Sequence, residues 1–111
     1  MGAFRTLLTL IFVAIAGYTT VTIARHGMGL MPIFFGDIAT MAWPGQFNFD
    51  FLCMLTLSGL WVSWRHRFSP AGLALGLLAL FGGAFFLSAY LLVVTSRTSD
   101  VRVLLLGEGR A

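Results

Sequence analysis

From Phe68 to Ser96 the chain carries no charged side chain. A helix over that stretch is apolar all round, so it must be enclosed by protein or by lipid. A chain of 111 residues cannot enclose it and also coat itself, because 59% of its residues are hydrophobic and only 10% are charged. Lipid is therefore the expected solvent. At about 20 apolar residues per crossing, the length accommodates a single domain of three spanning helices. A disordered tail is excluded by the same composition.

The fold class read from the sequence is all-α and integral to a membrane. The first span covers about 4–24 and stops at Arg25-His26-Gly27. The third, about 70–96, opens with Pro70, whose missing N–H costs nothing at a helix start, and closes at Arg97. The second, about 47–64, is shorter, carries Asp50 near its start and ends in Trp61, Trp64, Arg65 and Arg67. Tryptophans followed by arginines mark a headgroup boundary. Between the first two spans lies an apolar segment at about 32–43, bracketed by Met31-Pro32 and Pro44-Gly45. As a helix of about 17 Å it cannot cross, so it is expected to be interfacial or partly re-entrant, anchored by Trp43. The tail, 97–111, surrounds an apolar stretch at 101–106 that could rest on the membrane or on a partner.

Several motifs carry less than they suggest. Met1-Gly2-Ala3-Phe4-Arg5-Thr6 fits a myristoylation pattern, but a marginal lipid anchor adds little to a chain that already spans. Residues 5–16 imitate a cleavable signal peptide, yet apolar residues continue to Ala24, which favours an uncleaved first helix. The net charge of +3 comes from seven arginines set mostly beside apolar runs, an anchoring pattern and not a nucleic-acid footprint. Cys53 stands alone, so neither an intrachain disulfide nor a cysteine metal pair is available. His26 and His66 neighbour arginines at membrane edges and read as solvated. Phosphate loops, zinc-protease motifs and nucleophile elbows are absent from the sequence. Charge places Arg5, Arg65 and Arg67 on one side and Arg25, Arg97 and Arg102 on the other. The short basic Arg65-His66-Arg67 loop tips the expected orientation to an N-terminus in the cytoplasm, in a bacterial inner membrane.

Asp50 is the residue with most to explain, since a carboxylate at the bilayer centre costs on the order of 2.5–3.5 kcal/mol. Its place one turn inside a helix start offers a structural reason, because water reaches there and the helix dipole favours an acid. Proton handling or ligand binding is the other. The second and third spans are expected to form an antiparallel pair joined by a tight loop near His66, so Asp50 lies level with about Ala84. Tyr90 then leans toward it, with Asn48 and Ser88 nearby. These four are the ligand or proton candidates. A stripe of Gly72, Gly76, Ala79 and Gly83 on the third span is a helix-packing face, for the same chain or for another. Eleven Phe and three Trp could also suit a flat ligand such as a quinone, carotenoid or isoprenoid, although core and lipid-facing aromatics account for them first.

Phe34-Phe35, Phe47, Asp50, Trp61, Arg65, Arg67, Gly82, Tyr90-Leu91-Leu92 and Arg97 together resemble the small three-span bacterial membrane proteins grouped as a domain of unknown function, over about residues 4–97. In that family a lone Asp begins the second span and an aromatic-basic end closes it, matching Asp50, Trp61 and Arg65. The resemblance implies architecture and brings no activity with it. The expected function is that of a non-catalytic accessory or assembly subunit, associating laterally with other membrane subunits or with itself. A small transporter using Asp50 is the alternative, and a membrane enzyme or lipid binder the third reading.

Overall fold

The computed structural model describes residues 2–107 and 109. Five helices follow in order: α1 (Gly2–His26), α2 (Leu30–Ala39), α3 (Trp43–Arg65), α4 (Pro70–Arg97) and α5 (Val101–Leu106). There is no strand among the described residues. By length and composition two helices, α1 and α4, are apolar enough to cross a membrane. Such helices also form the cores of soluble proteins, but there they are mostly buried. Here the apolar windows of α1 and α4 are only 6% and 22% buried.

Turn chemistry sets the boundaries. Gly27, at φ 72°, takes the left-handed conformation that ends α1, its N–H donating to the Ile23 carbonyl. Helix α2 starts before Pro32 and stops at Ala39, short of the expected boundary, as Met41 turns the chain at φ 59°. Pro44 does not end that segment. It lies in the first turn of α3, where a missing N–H has no partner to lose, so α3 begins at Trp43, four residues earlier than expected. Ser69 caps α4 by accepting from the Gly72 N–H at 3.0 Å, with Pro70 next to it.

The largest departure lies inside α4. Gly83 has φ 56° and ψ −140°, a backbone conformation essentially reserved for glycine, and the helical path breaks there. The arm 70–82 runs antiparallel to α3. Gly72 meets His66, Gly76 meets Gly59 and Ser63, and Gly83 meets Phe51 and Leu55. A straight continuation would carry Tyr90 still further from His66. Instead Tyr90 returns to Trp61 and His66, with ring centroids at 6.2 and 5.9 Å. The arm 84–97 therefore folds back beside the first, and α4 is a helical hairpin, not the straight third span expected at 70–96. Each arm is about 20 Å long, short of the roughly 30 Å of hydrocarbon a crossing needs.

Close backbone approach fastens the first arm to α3. A Cβ on Gly76 would lie 2.9 Å from the Gly59 carbonyl oxygen, and one on Gly59 would lie 2.9 Å from that of Gly76. Gly72, Gly76 and Ala79 thus pack within the chain, whereas Gly83 supplies the break. The second arm takes α1 as its neighbour. Phe12 stacks on Phe85 at 4.9 Å, and Arg5 donates to the Leu92 carbonyl at 2.9 Å and to Thr95 Oγ1 at 2.8 Å. Val62 (0% exposed) and Ala79 (1%) centre a small core with Tyr90, Val94 and Leu104.

Candidate functional site

The foldback separates the residues that the sequence seemed to join. Asp50 is exposed on α3 and makes no hydrogen bond or ion pair among the described residues. Its neighbours on the same exposed face are Phe47, Cys53, Met54 and Leu57. Asn48 donates from Nδ2 to the Phe34 carbonyl at 3.1 Å, tying α3 to α2. Ser88 bonds back along its own helix to the Ala84 carbonyl at 2.7 Å. Tyr90 turns to the opposite end of α3. The expected Asp50–Tyr90 approach is therefore not made. It required a straight α4, and Gly83 removes that premise.

At the far end a different constellation forms. The Arg65 guanidinium donates through Nε to the Leu104 carbonyl at 2.8 Å and through its terminal nitrogens to the Val103 carbonyl and the Tyr90 hydroxyl, both at 3.1 Å. The Trp61 indole donates to the Leu105 carbonyl at 3.0 Å. The Leu104 and Leu105 carbonyls end α5 with no backbone donor following them, and the Val103 carbonyl accepts from the Gly107 N–H as well as from Arg65, so α3 supplies the donors that hold the helix end. The tail at 101–106 consequently packs on its own chain, with Leu104 buried. Gly107, at φ 86°, closes this contact, since a Cβ there would lie 2.5 Å from the Arg65 carbonyl oxygen.

His66 Nε2 lies 2.6 Å from the Tyr90 hydroxyl. That oxygen already accepts from Arg65, so its proton is free to go to Nε2, which requires a neutral imidazole protonated on Nδ1. Burial, and then the neighbouring Arg65 charge, lower the His66 pKa below its ordinary value and favour that neutral form. Sequence reading took His66 as solvated and Arg65 only as an anchor. The signal that could have found them was Gly82-Gly83, a glycine pair in the middle of an apolar run.

Beside this cluster is a cavity of about 700 Å³, within the size range of small-molecule sites. Arg65, His66, Arg67 and Arg97 line it together with apolar side chains that include Leu75, Phe86 and Val94. Because α4 doubles back and Arg5 bonds to its second arm, Arg5, Arg65, Arg67 and Arg97 gather at one end of the molecule. Arg25 lies at the other end of α1, about 30 Å along its axis from Arg5. The equal division of arginines expected from three straight spans is thus replaced by a strongly one-sided one. Trp43 is exposed at the start of α3, remote from this end, while Trp61 and Trp64 belong to it. Among the described residues no group of three His, Cys, Asp or Glu is placed to hold a metal ion. No known protein family, curated protein or solved structure matches the chain.

Proposed function

We propose that the chain is a non-catalytic integral-membrane protein that works by lateral association, as an accessory or assembly subunit that offers the exposed face of α3 to another membrane helix. In this reading α1 crosses the bilayer, α2 lies at the far surface and α3 returns. The α4 hairpin enters and leaves from the arginine-rich side. The long dimension of 45 Å suits a bilayer with its headgroup regions, about 40–45 Å thick. The one-sided arginines favour that end, and with it the N-terminus, on the cytoplasmic side of an inner membrane.

Asp50 is the observation that carries the association. It stands about 10 Å along α3 from Trp43, on an exposed apolar face and with no partner among the described residues. A carboxylate so placed in lipid is costly, and a neighbouring helix that donates a hydrogen bond or a positive charge removes the cost. Proton-coupled transport has less support, since Asp50 does not line the arginine-rich cavity, nor the grooves beside Gly59 and Gly76 and beside Tyr18 and Arg25.

The test pairs Asp50→Asn with Asp50→Leu after membrane extraction in mild detergent, read by native mass spectrometry. Asn keeps an acceptor and is expected to keep the assembly. Leu is expected to release it while the folded monomer survives. A wild-type protein that is monomeric and alone in intact-membrane crosslinking, or an assembly indifferent to Asp50→Leu, overturns the reading.

A further inference from the structure

We propose that the cavity between the end of α3 and the α4 hairpin binds one anionic phospholipid, its phosphodiester held by Arg65 and Arg97 and its chain laid along Leu75, Phe86 and Val94. The site rests on the membrane setting and not on the lateral association through Asp50, which lies near the other end of α3.

Unspent donors are the first argument. A guanidinium has five N–H groups, and three of those on Arg65 are used by Leu104, Val103 and Tyr90. The remaining two have no carboxylate among the described residues to receive them. Arg97 also lines the cavity and has no hydrogen bond or ion pair among the described residues. Asp100, the nearest described acid in sequence, is engaged in capping α5, where it accepts from the Arg102 N–H at 2.9 Å. Arg65 and Arg97 therefore bring to the cavity positive charge that no described carboxylate receives. Guanidinium forks match the geometry of phosphate oxygens, which accept two parallel hydrogen bonds from each.

Shape and position narrow the ligand to an amphiphile. The same cavity is lined by apolar groups from both arms of the hairpin, Leu75 from the first and Phe86 and Val94 from the second. A free phosphate would leave that surface uncovered, whereas an acyl chain removes it from water. The exposed indole of Trp64 and the half-buried indole of Trp61 flank the arginines, as at a headgroup boundary. Arg65 is also held by α5 and Tyr90, so the fork is preorganised and little side-chain freedom is lost on binding.

Trp61 reports on the site directly, its ring lying 6.2 Å from that of Tyr90. With Trp43→Phe and Trp64→Phe it becomes the sole tryptophan of the three. The protein is reconstituted in phosphatidylcholine nanodiscs containing phosphatidylglycerol, with brominated chains placed on one lipid or the other at equal mole fraction. Brominated phosphatidylglycerol is expected to quench Trp61 several-fold more strongly than brominated phosphatidylcholine. Arg97→Gln should raise the half-quenching mole fraction by about tenfold, the loss of one charged hydrogen-bond donor. In parallel, native mass spectrometry of the wild-type protein should find phosphatidylglycerol retained in preference to phosphatidylcholine, which keeps the test independent of the tryptophan variants. Equal quenching by the two lipids, or quenching indifferent to Arg97→Gln, overturns the site. Displacement of the lipid by millimolar inorganic phosphate overturns the amphiphile and assigns the arginines to a soluble phosphate.

Discussion

Replacing Gly83 with alanine should straighten α4 or unfold it, because the hairpin and the continuous helix are alternative paths for the same apolar residues. A side chain at φ 56°, ψ −140° carries about 1–3 kcal/mol of backbone strain. Its Cβ would also stand 3.0 Å from Phe51 Cζ, which must then shift. The continuous helix gains in turn, since Ala is better than Gly inside a helix by roughly 0.5–1 kcal/mol. Together the substitution moves the balance against the hairpin by about 1.5–4 kcal/mol, a substantial fraction of the roughly 5–15 kcal/mol that holds a domain folded. Spin labels at the exposed positions Leu73 and Ser96, introduced after Cys53→Ser removes the only cysteine, read the two paths apart. In a continuous helix the sites are about 35 Å apart along the axis. In the hairpin they lie on neighbouring arms whose axes are about 8–10 Å apart, nearly level with each other. Pulsed dipolar spectroscopy in nanodiscs is expected to give a single short distance for the parent protein and a long component or a lower Tm for Gly83→Ala. A distance near 35 Å in the parent protein would refute the foldback and with it the whole description of the Arg65 cluster.

Gly76→Leu should lower Tm by forcing α3 and the first arm apart, with a cost of about 1–3 kcal/mol or more, since the new side chain meets the Ser63 hydroxyl first and then the Gly59 carbonyl oxygen, a backbone atom that cannot swing aside. An unchanged Tm and helix content in detergent would count against that close approach. His66 gives the pH dependence. Its folded pKa lies below the ordinary 6.5, so the unfolded chain takes up a proton first as pH falls. The stability that the neutral imidazole contributes is whole above about pH 6.5 and is lost progressively as pH drops toward the folded pKa. Melting curves on either side of that value should show the loss, and His66→Gln should flatten it.

The helices were legible because apolar runs, Pro70, Gly27 and Arg97 act locally, through capping, missing donors and charge. Pro44 was misread for an informative reason. A proline ends the element before it or begins the one after it, and only the conformation of Met41 and Ala42 decides which. The candidate site was lost through one assumption, that an uncharged stretch long enough to span runs straight. Periodicity is blind to a reversal here, since α4 is apolar on every side and either path satisfies the pattern. Gly82-Gly83 was visible, but a glycine inside an apolar helix is as much a packing residue as a hinge, and Gly76 in the same helix is the former. Asp50 and Tyr90 were picked out as candidates, whereas Arg65 was read as an anchor and His66 as solvated. Their partners depended on a single pair of backbone angles.

That pair of angles does not act alone. A straight α4 would carry Arg97, Asp100 and Arg102 to the side of the molecule opposite Arg65 and Arg67, whereas the hairpin keeps them together. In the proposed membrane setting, moving arginines across the apolar barrier is opposed by the cost of the charge itself and by the bias that retains basic segments in the cytoplasm. The hairpin also lets α5 reach the donors of Arg65 and Trp61, whose three hydrogen bonds are made only when the second arm returns. Local strain tolerance at Gly83, charge retention at Arg97 and capping of α5 therefore favour the same path. Agreement among independent terms of that kind is what specifies one structure for a stretch whose hydropathy permits two.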